Sequence, residues 1–231
     1  MKGVKFGDKH TYQEWNLILT KTTINFPSIK KEELDIPGAD GKLDFSESLI
    51  GDIKYENRKI TFEFTTSEKY ESWKSLSSKI ANYLHGQKLK IILDEDPNFY
   101  YFGRVEINQF KSDKSLGVIQ IDCDVEPYKY DLYSSIEDWE WDSFDFEQGI
   151  INEMNEIIVN GEAKVNIIGR RQKVVPKFTC ENPITVIFNS KEYNLLSGTQ
   201  KVLNIQICNG ENEIILKGNG KVRIDYRGGS L

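Results

Sequence analysis

The chain has 231 residues, 39% of them hydrophobic and 12% aromatic, and a formal net charge of −6. That composition belongs to a folded protein rather than a disordered or fibrous one, and the length allows one large domain or two of roughly 100 residues. No stretch approaches the ~18 apolar residues of a membrane span, the start Met1–Phe6 lacks a signal-peptide core, and no basic stripe with interleaved aromatics offers a nucleic-acid surface.

Charge is uneven along the chain. Residues 1–130 carry 19 Lys/Arg and 21 Asp/Glu, residues 131–156 nine acids and no base, and residues 157–231 eleven bases and six acids. The short middle segment therefore outweighs the negative balance of the whole chain. Cys123, Cys180 and Cys208 are odd in number, far apart and in strand-like stretches. They read as small buried hydrophobes in a reducing compartment.

In chain order, two short strands are expected around Trp15–Leu19 and Thr22–Phe26. The stretch Asp35–Arg58 follows, with Pro37-Gly38 and Asp40-Gly41 as two turn signals back to back. Proline fixes φ and glycine supplies positive φ, so this loop is held in one shape, displaying Ile36, Leu43 and Phe45 around a polar tip. Tyr55–Phe64 alternates as a strand, with Ile60, Phe62 and Phe64 on one face. A helix is expected next, with Thr65 and Glu68 as a capping box, an apolar stripe of Tyr70, Trp73, Leu76, Ile80 and Leu84, and Gly86 as its stop. Three strands follow: Lys88–Leu93, Phe99–Gln109 and Leu116–Val125, joined by polar turns at 94–98 and 111–115. Together these define an N-terminal antiparallel β domain with one packed helix, closing near Pro127.

Residues 129–156 change character. Trp139, Trp141, Phe144 and Phe146 alternate with acids, which predicts an exposed acidic strand whose aromatic face is covered. It reads as a connector or as the first strand of a second domain. From Ile157 the pattern is short strands and tight turns, with Asn160-Gly161 expected to join Ile157–Val159 to Ala163–Ile168 as a hairpin. Strands are expected at Val174–Cys180, Thr185–Phe188, Val202–Ile207, Glu213–Leu216 and Val222–Tyr226, with turns at Asn209-Gly210 and Asn219-Gly220. Regular short strands without a helix predict an all-β sandwich. The fold class is thus mainly β, in segments 1–130, 131–156 and 157–231.

Motifs for chemistry are lacking. The two histidines, His10 and His85, stand in no nucleophile constellation, and no C-x-x-C, H-E-x-x-H, Walker loop or G-x-G-x-x-G occurs. Asp94-Glu95-Asp96 lacks the spacing and terminal Glu of a calcium loop and reads as a solvated turn. No catalytic, metal-ligating or cofactor-binding residue is assigned, and no enzyme activity is expected.

The order I-P-G-x-D-G-x-L-D (36–44) followed by Y-x-N-R (55–58) resembles the N-terminal half of phage distal tail proteins. Further matching stretches are Gly3–Gly7, Trp15–Leu17, Leu84–Gly86, Asp94–Pro97, Tyr100–Arg104, Glu126–Tyr128 and Tyr226–Leu231, in family order over nearly the whole chain. The resemblance implies a galectin-like sandwich for the C-terminal domain and a homohexameric ring formed through the N-terminal domains. It further implies a place in the virion tail, with synthesis in the host bacterial cytoplasm. One face of the ring would bind the tail tube protein and the other the tail-tip or baseplate protein, with receptor-binding proteins as further partners. DNA would pass through without specific binding, along a neutral or acidic lumen. No cofactor and no membrane are implied.

Rigid turns suit a contact that must form repeatedly at one angle. Ile36, Pro37, Gly38, Asp40, Gly41, Leu43 and Arg58 are therefore expected at or beside the subunit contact. Two alternatives stand beside this: the loop only shapes its own subunit, or the protein is a carbohydrate-binding module that attaches to the host cell surface.

Overall fold

The structure is a computed structural model and describes residues 2–66, 68–112, 117–137 and 154–231. The expected acidic aromatic strand at Trp139–Phe146 and the polar turn at 113–115 lie outside these residues. The chain divides into two compact units, Met1–Asp96 with Tyr101–Pro127 and Leu231, and Pro97–Tyr100 with Tyr128–Ser230.

The first unit contains, in order, β1 (Val4–Phe6), β2 (Lys9–His10), α1 (Thr11–Trp15), β3 (Leu17–Ile24), β4 (Glu33–Asp35), β5 (Lys42–Asp44), α2 (Ser46–Ile50) and β6 (Arg58–Thr66). A 3₁₀ turn at Tyr70–Ser72 then leads into α3 (Trp73–Leu84), β7 (Lys88–Leu93), β8 (Asp96–Ser112) and β9 (Gly117–Val125). Among the described residues, seven antiparallel strands run in the order β2-β1-β7-β8-β9-β6-β3.

Period-two alternation puts Ile60, Phe62 and Phe64 of β6 beside Ile119, Ile121, Cys123 and Val125 of β9, all buried. Ile80 and Leu84 of α3 close this core, with Leu76 and Tyr83 packed against it. Phe6 meets Phe62 edge-on at 5.8 Å between ring centroids, an arrangement worth about 1 kcal/mol beyond the area buried. The expected strand faces, the helical stripe from Trp73 onward and the mainly β class are present here.

Several boundaries differ from expectation. Trp15 closes a short helix, and the two expected strands are one, bulged between Leu19 and Lys21. There the Thr20 hydroxyl donates to the Glu63 carbonyl. The capping box is not formed. Thr65 is held in the β6 ladder between Ile18 and Val118, and Glu68 instead accepts from the Asn16 side chain at 2.7 Å. Strand pairing has consumed the residue that was to cap the helix, so α3 starts later. Tyr70, at the head of the expected stripe, lies exposed in the 3₁₀ turn.

Burial raises the Cys123 and Cys180 thiols, as befits inert apolar positions. Cys208 differs in being only half-buried.

The outward face of the sheet is polar. Burial alone would raise the Asp122 pKa, but hydrogen bonds from Thr61, Gln120 and Asn108 and the nearby Lys59 ammonium outweigh it and lower the value. A lowered carboxylate stabilises the fold above its unfolded pKa of about 3.9, and that stability is lost as pH falls through the folded value. Asp122→Asn is expected to flatten the acid limb of the stability curve. Urea midpoints at neutral pH and near pH 3 check this, and an equal drop at both would count against it.

The second unit contains β10 (Lys129–Asp131), β11 (Ile157–Gly169), β12 (Lys177–Cys180), β13 (Ile184–Phe188), β14 (Lys191–Leu195), β15 (Gly198–Lys201), β16 (Gly210–Asp225) and β17 (Gly229–Ser230). It is all antiparallel. β16 pairs with β11 along one side and, on the other, with β13 through its first half and β12 through its second. β14 and β15 extend these flanks, and inward side chains of β11, β12, β13, β14 and β16 meet in one core around Phe178, Val186, Ile214 and Ile224. Arg170 grips Asp131 in two-pronged fashion, at 2.9 and 2.7 Å, and lies over the Phe99 ring.

Two expected turns are not turns. Asn160-Gly161 lies inside β11, opposite Asn219 and Gly218 in the unbroken ladder of β16. The Asn219-Gly220 pair is likewise within a strand, so the segments expected on either side are continuous. The turn at Asn209-Gly210 is real and is fixed by the buried Asn212 side chain. That side chain accepts from the Cys208 N–H and donates to the Ile167, Cys208 and Gly210 carbonyls. Val202–Ile207 forms only an isolated bridge between Ile207 and Val174.

Candidate functional site

Between β3 and β6 the chain leaves the sheet as an arm. Its stem continues the β3–β6 ladder through hydrogen bonds from Asn25 to Lys59, Glu56 to Ser28 and Lys30 to Lys54, and through the Ile29–Tyr55 bridge. Beyond the stem, β4 and β5 form a two-stranded hairpin in the register Glu33↔Asp44, Leu34↔Leu43 and Asp35↔Lys42.

The loop chemistry is local. The Ala39 N–H donates to the Ile36 carbonyl at 3.1 Å, with Pro37 and Gly38 between and Gly38 at φ +86°. Proline first and a positive-φ glycine second are the requirements of a type II turn. Gly41, at φ +77°, returns the chain into β5. At the base, the buried Ser46 hydroxyl accepts from the Glu32 N–H and donates to Asp44, whose carboxyl is thereby held below the usual carboxylate range.

The register makes the hairpin amphipathic. Leu34 and Leu43 are direct partners and Ile36 is two residues from Leu34, so all three share one face. They are 56%, 45% and 45% exposed. Glu33, Asp35, Lys42 and Asp44 take the other face, where Glu33 is answered by Lys31 and Lys42. An isolated two-stranded ribbon is marginal in water, and a solvated apolar face adds to its cost. Phe26 on the stem is 82% exposed.

Six of the seven sequence-predicted residues, Ile36, Pro37, Gly38, Asp40, Gly41 and Leu43, are thus gathered on or beside this hairpin. Arg58 is elsewhere. It has the same parity as Ile60, so its side chain points inward. Its Nε and Nη2 both donate to the Pro127 carbonyl, and its guanidinium lies 5.1 Å from the Tyr101 ring centroid. Leu34 and Phe26 escaped the sequence reading. The alternation in E-L-D-I, mirrored by K-L-D across the turn, is the signal that marks Leu34.

Among the described residues, no group of three or more His, Cys, Asp or Glu could hold a metal ion, and no helix is long and apolar enough to cross a membrane.

Fold and site together define a class. It is a β-rich two-unit chain in which a helix-backed antiparallel sheet carries an exposed hairpin arm and an all-β unit follows. The SPP1 Dit (gp 19.1) protein, described as a paradigm of the hub adsorption apparatus in phages that infect Gram-positive bacteria, is similar in fold. The match has a TM-score of 0.65 at 11% identity and covers 98% of this chain and 99% of that one. No protein-family model and no curated protein matches the sequence.

Proposed function

We propose that this chain is a structural hub at the distal end of a long-tailed phage tail. It assembles as a hexameric ring through its N-terminal domain, residues 1–130. One face of the ring joins the tail tube and the other the tail-tip or baseplate protein, and the C-terminal domain carries receptor-binding components outward. The role is mechanical, not enzymatic. What carries this reading is the likeness to the SPP1 hub protein over the whole length of both chains. The hairpin supports it: among the described residues it pairs with no further strand, and a surface built from Leu34, Ile36 and Leu43 calls for cover by another protein surface.

Native mass spectrometry with negative-stain images of the same sample tests the reading. A species of six times 26.7 kDa with an open channel is expected. The channel wall is to be neutral or acidic, so that DNA is not retained at physiological salt. A monomer at every concentration shifts the weight to a cell-surface sugar-binding module, for which a glycan array is the next measurement.

A further inference from the structure

We propose that Asn209 is a modification site, whose side-chain amide is lost spontaneously to give aspartate and isoaspartate. The chemistry needs only water. The backbone nitrogen of the following residue attacks the asparagine Cγ, a C–N bond forms, and the side-chain nitrogen leaves as ammonia. The resulting succinimide takes up one water at either carbonyl and opens to aspartate or isoaspartate. A following glycine, having no Cβ, leaves the attack unobstructed. The sequence therefore nominates three pairs, Asn160-Gly161, Asn209-Gly210 and Asn219-Gly220.

The fold disarms two of them. The Gly161 N–H, the nucleophile for Asn160, donates to Asn219 Oδ1 at 3.0 Å. That same bond holds the Asn219 side chain across the ladder, away from Gly220. The Asn219 carbonyl accepts from Asn182 Nδ2 at 3.0 Å, and a Cβ at Gly220 would stand 2.9 Å from that nitrogen. Both pairs lie inside the continuous β11–β16 ladder. Ring closure at either one requires the ladder to open, which costs more than the opening of a bend.

Asn209 lacks these restraints. It is exposed in the bend between the Val174–Ile207 bridge and Gly210, the first residue of β16. Among the described residues no hydrogen bond holds its side chain. No heavy atom lies within 4 Å of where a Gly210 Cβ would stand, so there is space for the ring. One brake remains. The buried Asn212 side chain donates to the Cys208 and Gly210 carbonyls at 2.8 and 2.9 Å, fixing the residues on either side of Asn209. Isoaspartate at this position lengthens the main chain by one methylene at the entry to β16, the strand that pairs with β11, β12 and β13.

The test is incubation of the whole protein at mildly alkaline pH, followed by peptide mass spectrometry with electron-transfer fragmentation to separate aspartate from isoaspartate. In the folded protein, conversion at Asn209 is expected to run about ten-fold or more faster than at Asn160 or Asn219, the ratio that one retained hydrogen bond corresponds to. In guanidinium chloride the three are expected to react at similar rates. Asn212→Ala, with circular dichroism to confirm folding, is expected to speed conversion at Asn209 alone, and Gly210→Ala to suppress it. Equal rates at the three pairs in the folded wild-type chain would overturn the assignment. So would an Asn209 that stays intact when folded and reacts only when unfolded.

Discussion

Replacing Gly38 and Gly41 together by valine is expected to abolish rings while leaving a folded subunit. Both glycines have positive φ, and no heavy atom lies within 4 Å of where a Cβ would stand. The effect is therefore conformational rather than a clash. A left-handed residue with a side chain costs roughly 1–2 kcal/mol, and more when β-branched. Two such costs exceed what a two-stranded hairpin can absorb, since it is marginal on its own. The hairpin opens, and Leu34, Ile36 and Leu43 no longer share a face. Among the described residues the arm contributes nothing to the buried core of the first unit, so the thermal melt should move little. Intact rings with the wild-type mass would sink the assignment of this loop to the subunit contact and favour a loop that only shapes its own subunit.

Gly103→Ala is expected to be the most damaging single methyl in the first unit. Gly103 lies inside β8, paired with Leu89 on one side and Val125 on the other. A Cβ there would come within 2.2 Å of the Asp124 carbonyl oxygen and 2.4 Å of the Val125 Cα. Both are backbone atoms of a central strand, so no rotamer change relieves the clash. β9 must shift, and it carries Ile121, Cys123 and Val125 into the core. Overpacking that moves backbone exceeds the usual range of about 1–3 kcal/mol and reaches the exceptional losses above ~4 kcal/mol. Chemical denaturation of the variant beside Gly38→Ala, where nothing is near, checks this. Similar midpoints for the two would refute it.

Much of the first unit was legible without coordinates. Ile60, Phe62 and Phe64 alternate with polar residues, as do Ile119 to Val125, and a period of two over that length has one half-buried solution. The stripe from Trp73 to Leu84 has one helical solution. The Pro37-Gly38 turn was equally readable, because proline and positive-φ glycine act within four residues of chain.

What failed has a common physical origin. Asn160-Gly161 and Asn219-Gly220 carry the local chemistry of hairpin turns, yet Gly161 at φ +80° faces Gly218 at φ +138° across one long ladder. With small residues on both strands, pairing continues through the irregularity, and the non-local ladder outweighs the local turn preference. The Thr65 capping box was lost the same way, to pairing with Ile18 and Val118. Arg58 was expected at or beside the subunit contact together with the loop that precedes it, and the inward direction of its side chain was not part of that expectation. Only its parity with Ile60 and the arrival of the Pro127 carbonyl, 69 residues away, make it a buried anchor.

The sequence by itself determined the strands with two-fold period, the long helix and the rigid hairpin tip, because each rests on contacts within a few residues. Tertiary structure alone decided which turn signals become strand, where Arg58 points, and that Leu34, Ile36 and Leu43 stand together on one uncovered face. These depend on pairings between distant segments, whose register no local pattern encodes.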